Sequence, residues 1–285
     1  MKVLVTGSEG FLGKHVCAAL AKHGHQVIGL DSAPGADIVA DITKNVPVAV
    51  GIDAIIHLAA LANPRECDAD PARAFNVNVQ GTHQVLKKAL LWDVKKVVFS
   101  SSAHVYDIPP KYLPTDECHP LRLNNIYTTT KIMGEQLCHL FYENHGLSYT
   151  TLRLYNAYGP GQALGYFIPD MIRKARSGKI ELYGAQTTKD WVYVVDVAEA
   201  FCRAVESKFV GPVNIGTGVE HTVEFIAERI AKAFRVPLVA HTGGSDSRMQ
   251  ADAARAWDVL GWRYTTPLEE GLDAVLAAES QPVPA

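Results

Sequence analysis

Short runs of aliphatic and β-branched residues alternate, through the first half of the chain, with longer stretches whose apolar positions recur at helical spacing. Residues 2–6, 26–30, 54–58, 96–100 and 148–154 are short runs rich in β-branched and aliphatic residues, as strands covered on both faces tend to be. Residues 13–23, 74–91 and 130–144 carry the helical repeat between them. This alternation predicts an α/β protein built on a doubly wound parallel sheet. Gly24 and Gly146 stand where two of the helices should stop, because glycine closes a helix in the left-handed conformation at little cost.

After residue 154 the rhythm changes to the turn Tyr158-Gly159-Pro160-Gly161, a helix near residues 166–177 and further glycine-containing strand and turn pieces. A smaller C-terminal lobe for the substrate is expected here. The division is residues 1–154 for the dinucleotide domain and 155–285 mainly for the lobe, with the helical pattern of 196–207 and the strand at 212–216 returning to the main sheet. Residues 279–285 are expected to fray.

Composition narrows the class of partner. The 285 residues are 48% hydrophobic and 20% charged, enough for a large core, and the formal net charge of -3 comes without any long Lys/Arg run. That excludes an electrostatic footprint for nucleic acid or an anionic membrane and leaves small molecules. Five scattered cysteines, none in a Cys-x-x-Cys pair, predict a reducing compartment and no metal site. With no signal-peptide pattern and no span-length apolar stretch, the expected location is cytoplasmic.

The first strand runs into Gly7, Gly10 and Gly13, and a helix begins within that loop at Phe11 and Leu12. Such a turn lets backbone approach a pyrophosphate and aims free amides and the positive end of the helix dipole at it, as in a Rossmann domain. A plain glycine-rich turn is the bland alternative. Asp31 ends the next apolar run, about twenty residues on, where a carboxylate accepts both hydroxyls of an adenosine ribose. No cation follows in Ser32-Ala33-Pro34-Gly35, which favours NAD over NADP. Asp41 and Ile42 are candidates to face the adenine, and Leu58, Ala59 and Ala60 to line the crossing of the sheet edge. His57, in a buried strand, reads better as a hydrogen-bonded core histidine than as an acid or base.

Tyr127 and Lys131 form a Tyr-x-x-x-Lys unit preceded by Ser100-Ser101-Ser102. A phenol can act as a base near neutral pH only if neighbours lower its pKa from about 10, and an ammonium one helical turn away is suited to that. The alternative is a core tyrosine with a solvated lysine. The ordered set of these motifs with Asn78-Val79-Gln80-Gly81-Thr82, Arg153-Leu154-Tyr155-Asn156, Asn214-Ile215-Gly216-Thr217-Gly218 and Leu260-Gly261-Trp262 resembles the extended short-chain dehydrogenase/reductase family, in its nucleotide-sugar epimerase/dehydratase branch, over most of the chain. The resemblance implies that Tyr127 deprotonates the substrate hydroxyl and that Lys131 holds the nicotinamide ribose and lowers the tyrosine pKa. It implies that Ser102 orients the substrate oxygen, with Ser100 and Asn78 beside the cofactor and Asn156 on the diphosphate of a nucleotide sugar. It also implies a homodimer joined through a four-helix bundle of residues 74–91 and 130–144.

Departures from the family pattern bear on the reaction. Dehydratases of the family carry an Asp-Glu pair after the catalytic Ser/Thr and decarboxylases a Glu in that segment, whereas this chain has Ala103 and His104. Oxidation and reduction alone remain, most simply 4-epimerisation of a nucleotide sugar. The alternatives are a net sugar dehydrogenase or ketoreductase and, further off, a non-catalytic dinucleotide sensor. Asp107 replaces the glycine that usually follows Val-Tyr, Lys189 replaces an arginine, and Thr242-Gly243-Gly244-Ser245 replaces an Arg-x-Gly-Asp element. Arg248 is a candidate substitute phosphate contact, and His104 is either a substrate contact or a loop side chain.

Overall fold

The computed structural model describes residues 1–44, 46, 49–241 and 247–279; Thr242-Gly243-Gly244-Ser245 and the tail from 280 lie outside them. Chain order begins β1 (Lys2–Thr6), α1 (Phe11–Lys22), β2 (Gln26–Asp31), β3 (Ile38–Val39) and β4 (Ala54–His57), then α2 (Pro64–Ala69), α3 (Pro71–Phe75), α4 (Gly81–Leu91) and β5 (Lys96–Ser102). It continues with α5 (Ile126–His145), β6 (Tyr149–Leu154), β7 (Asn156–Tyr158), α6 (Phe167–Arg176), β8 (Ile180–Tyr183), β9 (Thr188–Tyr193), α7 (Val194–Glu206) and β10 (Gly211–Ile215). The last elements are β11 (Glu220–Thr222), α8 (Val223–Phe234), β12 (Leu238–His241), α9 (Ala254–Leu260) and α10 (Leu268–Glu279).

Seven strands form one parallel sheet in the order β10-β6-β5-β4-β1-β2-β3. Alternation along each strand divides its side chains between two cores. Val3, Val5, Ile56, Val98 and Leu152 meet Val16 and Leu20 of α1 and Val197 and Phe201 of α7. Leu4, Ile55, Val97 and Phe99 face the other way, onto Val85 and Leu86 of α4 and Cys138 and Phe141 of α5. The expected doubly wound α/β sheet is therefore present, and α7 and β10 are part of it. Chain order reverses between β1 and β4, which opens a crevice at the carboxyl ends of the strands.

The remaining elements build a second layer. β11, β9 and β7 form a three-stranded sheet and β12 and β8 a parallel pair. Both pack with α6, α8 and α10 around Ile168, Ile172, Trp191, Ile226 and Leu272. Two buried carboxylates tie this layer to the main sheet. Asp190 accepts hydrogen bonds from the backbone of Thr217, Gly218 and Ala251, and Asp196 from Thr265 and Thr266.

Three local differences from the sequence pattern have physical causes. Residues 74–91 are not one α-helix: α3, started by Pro71 behind an Asp70 cap, gives way to a wider turn of π-helix over Asn76–Gln80 before α4. That turn sets Asn78 inward, where its amide bridges Leu61 and Thr130. α5 begins four residues before the expected start, because the Asn125 and Thr128 side chains form a capping box ahead of the β-branched threonines. β3 and α2 are too short for a periodic signal.

Beneath β5 lies a dry polar cluster. Arg153 on β6 makes a two-pronged contact with Glu135 on α5, at 3.0 and 2.7 Å, with both side chains at most 7% exposed. Ser101 donates to the same carboxylate at 2.6 Å, and Arg153 donates to the Tyr106 hydroxyl at 3.1 Å. Tyr106 donates to Asn214 on β10, whose backbone amide reaches Glu117. Removing one member leaves an uncompensated buried charge, so Glu135→Gln is expected to lower unfolding free energy by about 3–5 kcal/mol. Urea denaturation of this variant, of Arg153→Met and of the pair together checks it, the double variant losing less than the sum of the two.

Candidate active site

Phe11, Leu12 and Gly13 open α1 directly over the end of β1. Gly10 caps the helix with extended backbone and no side-chain hydrogen bond, so the first-turn amides have no side chain competing for them. Gly13 is required by contact: a Cβ there would fall 2.0 Å from the Gly7 carbonyl oxygen. Asp31 sits at the tip of β2, where its Oδ2 accepts the Glu9 amide at 3.0 Å and its Oδ1 the Ala33 amide at 3.0 Å. Each oxygen keeps a second acceptor position for a ribose hydroxyl.

Ser102 ends β5 and caps a short 3-10 turn, Ala103–Val105, its Oγ accepting the His104 amide at 3.2 Å. Tyr127 and Lys131 lie one turn apart on α5, which comes close to β5 because Gly134 faces Phe99: a Cβ there would lie 2.4 Å from the ring. Lys131 Nζ donates to the Ser100 carbonyl at 2.8 Å and stands 5.8 Å from the centre of the Tyr127 ring. Both side chains are buried.

Burial drives the Tyr127 phenol up from its ordinary pKa, and a hydrogen bond with Ser102 works against that rise. Lys131 is itself pushed down to about 8 by burial, against the upward pull of Cys67 and Glu135. The ammonium is held in place by the Ser100 carbonyl beside the ring.

One cavity of about 960 Å³ joins these groups. Its wall takes in Gly7, Gly10, Phe11, Leu12, Gly13, Asp31, Asp41, Ile42, Leu58, Ala59, Ala60 and Ser100 at the dinucleotide end, and Ser102, Tyr127, Lys131, His104, Asn156 and Lys189 beyond. Asn156 is anchored by donating to the Asp190 carbonyl at 3.1 Å. His104 is held down to about 4, by burial and then by the Lys189 charge, so it is neutral at pH 7. Lys189 is lowered by burial and lies 5.9 Å from the centre of the Trp191 ring.

Two predicted residues are not on this wall. Arg248 is ion-paired with Glu220 at the surface, because β11 brings that carboxylate to it. Asn78 is buried behind the wall, where it braces Leu61 against α5. His57 is likewise internal: Thr6 and Thr82 hydroxyls contact its two nitrogens at 2.7 and 3.0 Å, and burial holds it down to about 3. Asp107, in place of the usual glycine, pairs with Arg122 at 2.9 Å. Sequence reasoning missed Arg73, Gln162, Tyr166, Phe167 and Trp191, all on the wall. The aromatic residues around the turn at 158–161 and in the Asp190-Trp191 strand were the available signal.

The donor set fits a dinucleotide. Open helix amides and a glycine turn suit a pyrophosphate, Asp31 a diol, and uncharged Ser32 and Ala33 leave no counter-charge for a ribose phosphate. Fold and site together define an enzyme of dinucleotide-dependent type. The sequence model of the family described as NAD dependent epimerase/dehydratase matches residues 3–216. A putative UDP-glucose 4-epimerase of Methanocaldococcus jannaschii is 32% identical over 299 residues, covering 96% of this chain and 97% of that protein. UDP-glucuronic acid decarboxylase 6 of Arabidopsis thaliana is 28% identical over 301 residues, covering 95% and 87%. The solved structure of MoeE5 in complex with UDP-glucuronic acid and NAD superposes with a TM-score of 0.90 at 28% identity, covering 98% of this chain and 99% of that one. The chain belongs to the NAD dependent epimerase/dehydratase family. Among the described residues, no helix is long and apolar enough to cross a membrane.

Replacing Gly13 by Ala is expected to cost about 1–3 kcal/mol of stability through overpacking. It should also abolish NAD binding, as read by a fluorescence titration of the folded variant.

Proposed function

We propose that the protein is an NAD-dependent 4-epimerase of a nucleotide sugar, working through a transient 4-keto sugar. The observation that carries this reading is the make-up of the single cavity that holds Ser102, Tyr127 and Lys131. Its carboxylates, Glu9, Asp31 and Asp41, all belong to the dinucleotide end, and Ala103 and His104 stand where a dehydratase or decarboxylase of the family needs acids. NAD, held by the α1 amides and Asp31, supplies a reversible hydride acceptor. Tyr127 takes the proton of the sugar 4-hydroxyl, holds it while the keto-sugar turns, and returns it to the same oxygen. Ser102 orients that oxygen and stabilises the phenolate by its hydrogen bond. Lys131 would hold the nicotinamide ribose.

The diphosphate falls to Lys189 and Asn156. No ion pair or hydrogen bond of the described residues engages the Lys189 ammonium, which supports an anionic ligand there. A lysine lacks the bidentate fork of arginine, so the grip is weaker and less directional. Because Arg248 is committed to Glu220, a net sugar dehydrogenase or ketoreductase with exchangeable cofactor is the second reading. Leu91 on α4, with Met133, Leu140 and Tyr142 on α5, are exposed apolar side chains that support pairing of these helices between two copies.

Purified protein with NAD is expected to interconvert a 4-epimeric pair of nucleotide sugars with no net NADH in solution; sustained NADH formation selects the second reading instead. Tyr127→Phe should reduce kcat about 100- to 10,000-fold with little change in KM. Activity equal to that of the parent chain would exclude Tyr127 as the base.

Lys131 sets a pH dependence. Its folded pKa of about 8 lies below the value of about 10.4 for an unfolded lysine. Below pH 8 the native ammonium is charged, with its burial penalty in full. As pH rises from 8 toward 10 the native side chain loses its proton first, so its contribution to stability becomes more favourable while its hold on the ribose is lost. NAD affinity is therefore expected to fall as pH rises through 8, and to be lower and flat across that window in Lys131→Met.

A further inference from the structure

On the side of the sheet away from α4 and α5, the C-terminal end of α1 meets the outer face of α7. His23 closes α1, Gly24 follows with φ +79°, and His25 begins the approach to β2. The tight turn leaves the two imidazoles stacked, 6.4 Å between centres and 4° from parallel. Glu199, Cys202 and Glu206 recur on α7 at spacings that fall on one helical stripe facing this turn. His23 Nε2 lies 2.7 Å from Glu199 Oε2, and His25 Nε2 lies 3.0 Å from Glu206 Oε1. A nitrogen of His23, an oxygen of Glu199 and the sulfur of Cys202 all lie within 4.8 Å of one another.

We propose that His23, Glu199 and Cys202 form a binding site for a divalent transition metal of the zinc type, joining α1 to α7 outside the active site. Nitrogen, oxygen and sulfur donors are the set that such ions take. Metal–ligand bonds of about 2.0–2.3 Å place tetrahedral ligands roughly 3.4–3.7 Å apart, so the three atoms need shifts of only about an ångström. The ion replaces the hydrogen bond between His23 and Glu199, the Cys202 proton passes to solvent, and water completes the shell on the exposed His23 side. Charge favours a cation: Glu199 and Glu206 flank the thiol, and the last carbonyls of α1 add the negative end of its dipole. Arg203 opposes it by donating to Glu199 Oε1 at 2.7 Å, which leaves Oε2 for the metal. The sequence conceals this site because its ligands come from two segments more than a hundred and seventy residues apart.

The test uses untagged, NAD-loaded protein and Co2+ as the probe. One equivalent of Co2+ is expected to bind and give a thiolate-to-cobalt charge-transfer band in the near ultraviolet, displaced by Zn2+. The band should vanish in His23→Gln and in Cys202→Ser and survive in Cys118→Ser, which alters an exposed thiol elsewhere. His23 is at the surface, so its variant keeps the test meaningful if the buried Cys202→Ser does not fold. No band in the parent protein, or a band that persists in His23→Gln, overturns the proposal.

Discussion

The contact between Arg153 and Glu135 is the constraint on which the catalytic strand depends. A parallel strand buried on both faces cannot ordinarily carry three serines in a row, since each hydroxyl must find a partner away from water. Here Ser101 is matched by Glu135, Glu135 by Arg153, and Arg153 by Tyr106 and the Glu117 carbonyl. The cluster ties β5, α5, β6 and β10 in one register. A half-satisfied network would cost more than an apolar core, whereas a satisfied one fixes a single arrangement. Ser102 and Tyr127 are offset from it by one residue and two helical turns, so its rigidity becomes the precision of the site.

The same burial creates the electrostatic tension at the centre. Desolvation opposes charge on both Tyr127 and Lys131, raising the one and lowering the other. Glu135 works against this on the lysine, one turn away, and Ser102 on the tyrosine. Burial of the phenol is thus opposed only in part by its hydrogen bond with Ser102. On the proposed reading, Lys131 and Ser102 would stabilise a Tyr127 phenolate together with the positive charge that oxidised NAD would supply.

How much of this the chain displays follows from where each signal is encoded. The five strands are visible because β-branched and aliphatic residues cluster in them, and β5 and β6 are buried at every position although they carry serines, threonines and Arg153. The glycine turn and Asp31 are visible because local backbone requirements fix residue type. Long-range pairing is what hides the rest. Arg248 reads as a free cation until β11 places Glu220 beside it, and nothing local shows that the Lys131 ammonium is held by the Ser100 carbonyl. The start of α5 was masked by threonines with poor helix propensity, although the capping pair Asn125 and Thr128 is local and could have been read.

The distribution of charge along the cavity limits the chemistry more than the catalytic residues do. Three carboxylates and three cations, Arg73, Lys131 and Lys189, are on the wall, but they are not mixed. The acids sit on or just beyond the β1, β2 and β3 side of the crevice, while Lys189 lies with neutral His104 near the end of β5. An elimination or a decarboxylation that needs a second acid or base has no carboxylate to draw on there. On the proposed reading, a hydroxyl bound near Ser102 would meet Tyr127 as its proton acceptor, and the anion to which it is attached would meet the partly desolvated Lys189. Burial strengthens that attraction by removing competing water. On that reading, attraction would be concentrated at the anionic end of the ligand, away from the carbon that changes configuration.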